Sequence, residues 1–193
     1  MPVSAGWYTT YNSSDDLLQG VIINDFPLVE LGELDYPNSE GDKELPFQTT
    51  DVIVLTQSCD LQNNKVKFVH LAPLYSLEST MNSTIPKDQK TKKPIEKLYE
   101  ELRKGFRLNA FLLEDVSINT VPKLRGKKLV ARYDEAVVIP VSFIEEFFAD
   151  TRRKNFLALK SPYRESLSQG YGRFFMRVAN PIDYTDIDFN DYT

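Results

Sequence analysis

The chain has 193 residues, 41% hydrophobic and 12% aromatic, with a formal charge of −5 and a pI near 5.0. That content buries a full core in one domain, and the acidic balance excludes a surface that is basic throughout, as wholesale wrapping by nucleic acid requires. One Cys and one His exclude an internal disulfide and a zinc site of three or four thiolate and imidazole ligands from a single chain.

Residues 1–16, "MPVSAGWYTTYNSSDD", lack the basic start and apolar core of a secretory signal, and no apolar run approaches the roughly 18 residues of a membrane span. A cytoplasmic protein without membrane contact is therefore expected. The same residues read as a loose, flexible arm that Trp7, Tyr8 and Tyr11 can dock onto the body. A single domain is expected over 17–180 and an acidic, aromatic tail over 181–193.

"GVIINDF" opens the domain as a strand that Pro27 limits, and an acidic, Gly- and Pro-rich loop follows. "DVIVLT" and "KVKFVHLAPL" are β-branched strand runs around the turn-prone "QSCDLQNN", so a hairpin with its tip at Asn63 and Asn64 is expected over 51–74. Residues 76–105 form a helical insertion. Its first part has almost nothing to bury, and "KPIEKLYEELRKG" predicts a helix over 94–104, started by Pro94, stopped by Gly105, with Ile95, Leu98, Tyr99 and Leu102 on one side.

"FRLNAFLLEDV" reads as a strand and "KKLVARYDEAVVIP" as two short strands around Asp134 and Glu135. Ser142 and Glu145 have the spacing of a capping box, which predicts a helix over 143–153 whose end is matched by Arg152, Arg153 and Lys154. The last helix starts at "SPYRESL", with Tyr163, Leu167, Tyr171, Phe174 and Val178 at helical spacing and Gly170 and Gly172 weakening it. Strands, a helical insertion, strands and then helices predict an α+β fold built on a small, mostly antiparallel barrel or curved sheet. There is no G-x-G-x-x-G, phosphate-cradling loop or calcium-loop spacing, so neither a cofactor nor a metal is expected.

Three constellations are candidate sites. In the expected hairpin Gln57 faces His70 and Cys59 faces Phe68, which makes Cys59 and His70 diagonal neighbours about 7–8 Å apart on one face. Cys59 would be a nucleophile and His70 its base, with Gln57 or Asp60 orienting the ring; the bland alternative is an inert thiol and a histidine satisfied by backbone. The densest positive run, including Lys92, Lys93, Arg103 and Arg107, offers phosphate contacts beside Tyr99 and Phe106, or else an exposed helix face diluted by glutamates. Arg164, Arg173 and Arg177 on the last helix form a further cationic set, Arg173 and Arg177 being one turn apart.

The stretch "QGVIINDFPLVE", a long loop and then "DVIVLTQSCDLQNNKVKFVHLAPL" resembles the MazF/PemK-like toxin family, small SH3-like barrels that cleave RNA, with "FRLNAFLLEDV" answering to a later strand. The family's phosphate-stabilising arginine would fall near Thr50 and Asp51, and its hydroxyl residue near Leu74 or Tyr75. An acid there repels a phosphate, so the resemblance implies the barrel and a degenerate nuclease. "QSCDL" and "SPYRE" are also similar to segments of uncharacterised bacterial proteins. The function expected from the resemblance is a non-catalytic binding component, contacting a protein partner or nucleic acid in a toxin–antitoxin or phage-defence operon and able to form a homodimer. The rival is an enzyme, either a Cys59/His70 thiol hydrolase or an RNase with a rebuilt site.

Overall fold

The computed structural model describes residues 6–12, 15–29, 47–117, 121–149 and 155–176. Its centre is one eight-stranded antiparallel sheet: β1 (Tyr8–Asn12), β2 (Val21–Val29), β3 (Phe47–Val54), β4 (Phe68–Ser76), β5 (Ala110–Leu113), β6 (Leu129–Arg132), β7 (Val137–Pro140) and β8 (Asn155–Leu159). The spatial order is β1-β8-β2-β3-β4-β6-β5, with β7 also paired to β4. Five α-helices among the described residues accompany it: α1 (Ser58–Gln62), α2 (Leu77–Thr84), α3 (Lys92–Arg103), α4 (Val141–Ala149) and α5 (Tyr163–Met176). The fold is α+β. Among the described residues the sheet does not close into a barrel, since β1 and β5 each pair on one side only. No described helix is long and apolar enough to cross a membrane.

The central strands are apolar without alternation because both faces of the sheet are covered. Ile22, Ile53, Ala72, Leu74, Ala131 and Leu157 bury on one face with Leu167 of α5 and with Val116, Val121 and Leu124. Val21, Ile23, Val52, Val54, Leu71 and Phe156 bury on the other against Leu61 of α1 and Ile144 of α4. A third cluster seats Leu98 and Leu102 of α3 on Val130, with Ala110 and Leu112 beside it. Leu98 and Leu102 are one helical turn apart, which is why the insertion docks by that stripe.

Several expectations are corrected. β2 runs through Pro27 to Val29, past a bulge at Asn24 and Asp25 where the register with β3 shifts between Ile23 and Phe26. Asp25 takes φ 50° there, and the extra residue returns Phe26 to the face that buries Ile23. The supposed arm contains β1, which lies along β8 with Tyr8 opposite Leu159. β8, a strand not expected at all, lies between β1 and β2. α2 occupies the polar stretch thought to bury little; Ser76 caps it by accepting from the Ser79 N–H at 3.0 Å, and Thr80 is buried.

The arms of the 51–74 unit are antiparallel neighbours, with Asp51 opposite Leu74 and Val54 opposite Leu71. They are not joined by a two-residue turn. The ladder ends where Leu55 donates to the His70 carbonyl at 2.9 Å and Thr56 Oγ1 accepts from the His70 N–H at 2.8 Å. The next residues wind into α1, which buries Leu61 and is followed by Asn64 at φ 51°. The predicted strands around Asp134 and Glu135 do form, yet they pair with β4 and not with each other. β6 takes Leu74–Ser76, β7 takes Phe68–Leu71, and the 3-10 turn Tyr133–Glu135 carries the chain from one to the other.

Candidate functional site

The proposed thiol–imidazole pair is not assembled. Gln57, Cys59 and Asp60, expected in the hairpin ladder, lie in or beside α1 beyond its end. Cys59 is exposed, its Sγ 3.6 Å from Gln57 Oε1 and 3.7 Å from Asp60 Oδ1. Two acceptor oxygens, one of them on an acid, give a thiolate no stabilisation. His70 is held elsewhere, its Nδ1 2.8 Å from the Tyr171 hydroxyl of α5 and the two rings edge to face. Helix formation at 58–62 overturns the diagonal placement, because a helical residue no longer follows strand register.

The cationic residues do converge. α3 ends at Gly105, φ 70°, where the Gly105 N–H bonds the Leu102 carbonyl and the Phe106 N–H bonds that of Glu101. The chain then turns back towards β5 with Arg107 leading. The last residues of α3 are thereby set opposite the flank of α5 that carries Ser166, Gln169, Gly170 and Arg173. Between them is a cleft of about 250 Å3 lined by Arg103, Lys104, Arg107 and Arg173, with no acidic side chain among its described lining residues. Its floor is Ala110, Phe111 and Tyr133. The floor is rigid: Tyr133 is buried and donates its hydroxyl to the Leu167 carbonyl at 2.9 Å. Burial raises the Tyr133 phenol far above its ordinary range, so it is a neutral donor at any physiological pH.

A second depression of about 130 Å3 shares Arg107 and Ala110 with the first and adds Arg132 and Asn109. Together they make a groove from α5 to the α2–α3 layer. Glu100 and Glu101 of α3, both half-buried, hold part of the charge. Arg103 Nη2 lies 2.8 Å from Glu100 Oε2, Lys104 Nζ 3.3 Å from the same oxygen, and Arg107 Nε 2.8 Å from Glu101 Oε2. The Arg103 and Lys104 bonds hold the Glu100 carboxyl below its usual range. Arg173 is exposed and has no paired carboxylate among the described residues. Four cations against two carboxylates leave the cleft positive, and guanidinium forks suit phosphate or carboxylate oxygens. Phe106, which lies between two lining residues in the chain, is 72% exposed.

Other predicted cations lie apart. Lys92 points to solvent beside Glu96 at 3.6 Å, Lys93 is exposed early in α3, and Arg164 pairs with Glu165 at 3.3 Å. Arg177, like Arg152, Arg153, Lys154 and the tail 181–193, lies outside the described residues. Sequence reasoning passed over Arg132, Ser166 and Gln169, whose only signal is position on elements that meet in space. A larger cleft of about 420 Å3, between α1 and α4, carries Asp15, Asp16 and Glu145. Its charge repels phosphate, and no three described His, Cys, Asp or Glu side chains share a position that could hold a metal. Comparison with protein families, with curated proteins and with solved structures gave no match.

Proposed function

We propose that the protein is a non-catalytic binding module that takes a phosphate-bearing, single-stranded segment of nucleic acid in the groove between α3 and α5. The observation that carries this reading is the convergence of Arg103, Lys104, Arg107 and Arg173 on one cleft, four cations against the two carboxylates of Glu100 and Glu101 that pair with three of them, in a chain whose net charge is −5. A folded surface gathers like charges only against their mutual repulsion, and an anionic ligand relieves it. Phe106, next to Arg107 in the chain, is exposed, and its ring offers an unpaired base a stacking surface that a duplex cannot use. The arginines bind phosphate oxygens through parallel N–H donors. Cys59 and His70 are tied to different partners, and among the described residues no nucleophile–base pair lines the groove, which favours binding over catalysis. The module's use in a toxin–antitoxin or defence setting belongs to the same proposal.

Anisotropy of a labelled 12-nucleotide single strand, titrated with the full chain, tests the reading. Binding is expected at low ionic strength, with a log–log salt slope of about −2, as for roughly three neutralised phosphates on a single strand. The triple change Arg103→Ala, Arg107→Ala and Arg173→Ala is expected to abolish it, and Phe106→Ala to weaken it by about tenfold. Binding that survives the triple change, or none at low salt in either protein, refutes the module.

A further inference from the structure

The positive charge of the groove is not spread evenly along it. At the α3–α5 end Arg103, Lys104, Arg107 and Arg173 line the cleft, and the carboxylates paired with them among the described residues are those of Glu100 and Glu101. Four cations less two carboxylates leave a surplus of two. At the other end the cation added among the described lining residues is Arg132, and its guanidinium is shared between Asp134 at 2.8 Å and Glu135 at 3.1 Å. That end has no surplus, and its other polar lining groups, Thr80, Thr84 and Asn109, are uncharged. α3 also meets the cleft at its C-terminus, through Gly105, and a helix is negative there. The carbonyls of Glu100, Leu102 and Glu101 accept from the N–H groups of Lys104, Gly105 and Phe106, so the helix end is capped by backbone and not by the cleft's cations. A strand held through internal phosphates presents one charge per nucleotide and needs cations along its whole path. A terminal phosphomonoester concentrates a charge of about −1.5 to −2, with three acceptor oxygens, in one group. A surplus of two at one end and none at the other matches the second pattern.

We propose that the α3–α5 end of the groove takes the terminal phosphomonoester of a single strand, with the adjoining nucleoside lying towards Thr84 and Asn109. This rests on the groove being a site for single-stranded nucleic acid and names the part of the strand that it holds. Arg173 has no paired carboxylate among the described residues, so both sides of its fork are available to phosphate oxygens. Arg107 lines both depressions; its Nε is held by Glu101 at 2.8 Å, and its Nη groups remain to donate at the junction. Ser166 and Gln169 add uncharged donors on the α5 side. An internal phosphodiester, with a single charge, leaves one of the two surplus cations unmatched.

The test titrates the full chain against internally labelled 12-nucleotide strands of one sequence: unphosphorylated, 5′-phosphorylated, 3′-phosphorylated, and each phosphorylated strand as its methyl ester, which keeps the group and removes one charge. At low salt at least one phosphorylated strand is expected to bind about tenfold more tightly than the unphosphorylated one, as for one added charge-assisted contact. Its methyl ester is expected to lose most of that gain, and Arg173→Ala to bind the phosphorylated and unphosphorylated strands within about twofold of each other. A nucleoside monophosphate is expected to compete more weakly than the phosphorylated strand; competition of equal strength identifies a mononucleotide site and overturns the inference. Equal affinity for phosphorylated and unphosphorylated strands, or a gain that neither the methyl ester nor Arg173→Ala reduces, overturns it and leaves the groove reading standing. If no strand binds, the groove reading falls and the inference falls with it.

Discussion

Gly170 and Gly172 stand two positions apart in α5 and meet different surroundings. A Cβ on Gly170 would lie 2.7 Å from the Tyr133 hydroxyl, which is buried and committed to the Leu167 carbonyl, whereas one on Gly172 meets nothing within 4 Å. Gly172→Ala is therefore expected to stabilise by about 1 kcal/mol through helix propensity. Gly170→Ala is expected to lose that gain to overpacking and destabilise by about 1–2 kcal/mol; urea midpoints of the two variants check both signs. Asp134 offers a pH-dependent counterpart. Arg132 donates to both its oxygens, at 2.9 and 2.8 Å, Asn109 donates at 2.9 Å, and the Arg132 bonds hold its carboxyl below the ordinary 3.8. A depressed folded pKa stabilises above the unfolded value and loses that contribution as pH falls through the folded one. Asp134→Asn is thus expected to cost about 0.5–1 kcal/mol at pH 7 for this partly exposed pair and nothing once pH lies well below 3.8. Unfolding curves at neutral and strongly acidic pH decide it.

Elements were most legible where a periodic stripe or a charged end announced them. α3 was readable because Leu98 and Leu102 repeat at one turn and Gly105 stops it. α2 was not, because its buried residue is a threonine whose hydroxyl donates to the Ser76 carbonyl at 3.1 Å, a satisfaction that hydrophobic patterning does not register. α1 was hidden for the opposite reason: "QSCDLQNN" is rich in turn formers, and one apolar residue, Leu61, anchors the winding. Because Cys59 sits on the exposed side of this helix, Cys59→Ser is expected to shift stability by no more than about 0.5 kcal/mol and to leave strand binding unchanged. A large loss of either, read by urea midpoint and anisotropy, reinstates a role for the thiol. The join between β1 and α5 is more consequential. Trp7 stacks on Tyr163 with ring centroids 4.1 Å apart and planes 11° apart, which ties the start of the sheet to the helix that forms one wall of the groove. Trp7→Ala is expected to cost about 2 kcal/mol by area and stacking, seen as a lower urea midpoint.

At the scale of the whole molecule, the sheet is the scaffold and residues 8–12 belong to it. A loose arm could be removed without consequence, but here Tyr8 and Tyr11 are 1% and 3% exposed. Deleting residues 1–12 is expected to remove about 4 kcal/mol of burial and lower the melting temperature by roughly 10 °C for a domain of this size. Thermal unfolding followed by circular dichroism reads it, and an unchanged midpoint would mean that β1 contributes nothing. The sequence by itself determined an α+β chain, the antiparallel adjacency of 51–54 and 71–74, and the helices near 94–104 and from 163, because hydrophobic period and end signals act over a few residues. It could not determine that β6 and β7 share the outer edge of β4, that β8 separates β1 from β2, or that Cys59 lies in a helix and not in the ladder that holds His70. Nor could it show Arg103, Arg107 and Arg173 as the wall of one cleft. Those outcomes depend on which faces bury together across tens of residues, and only the packing of helices on a two-sided sheet decides that.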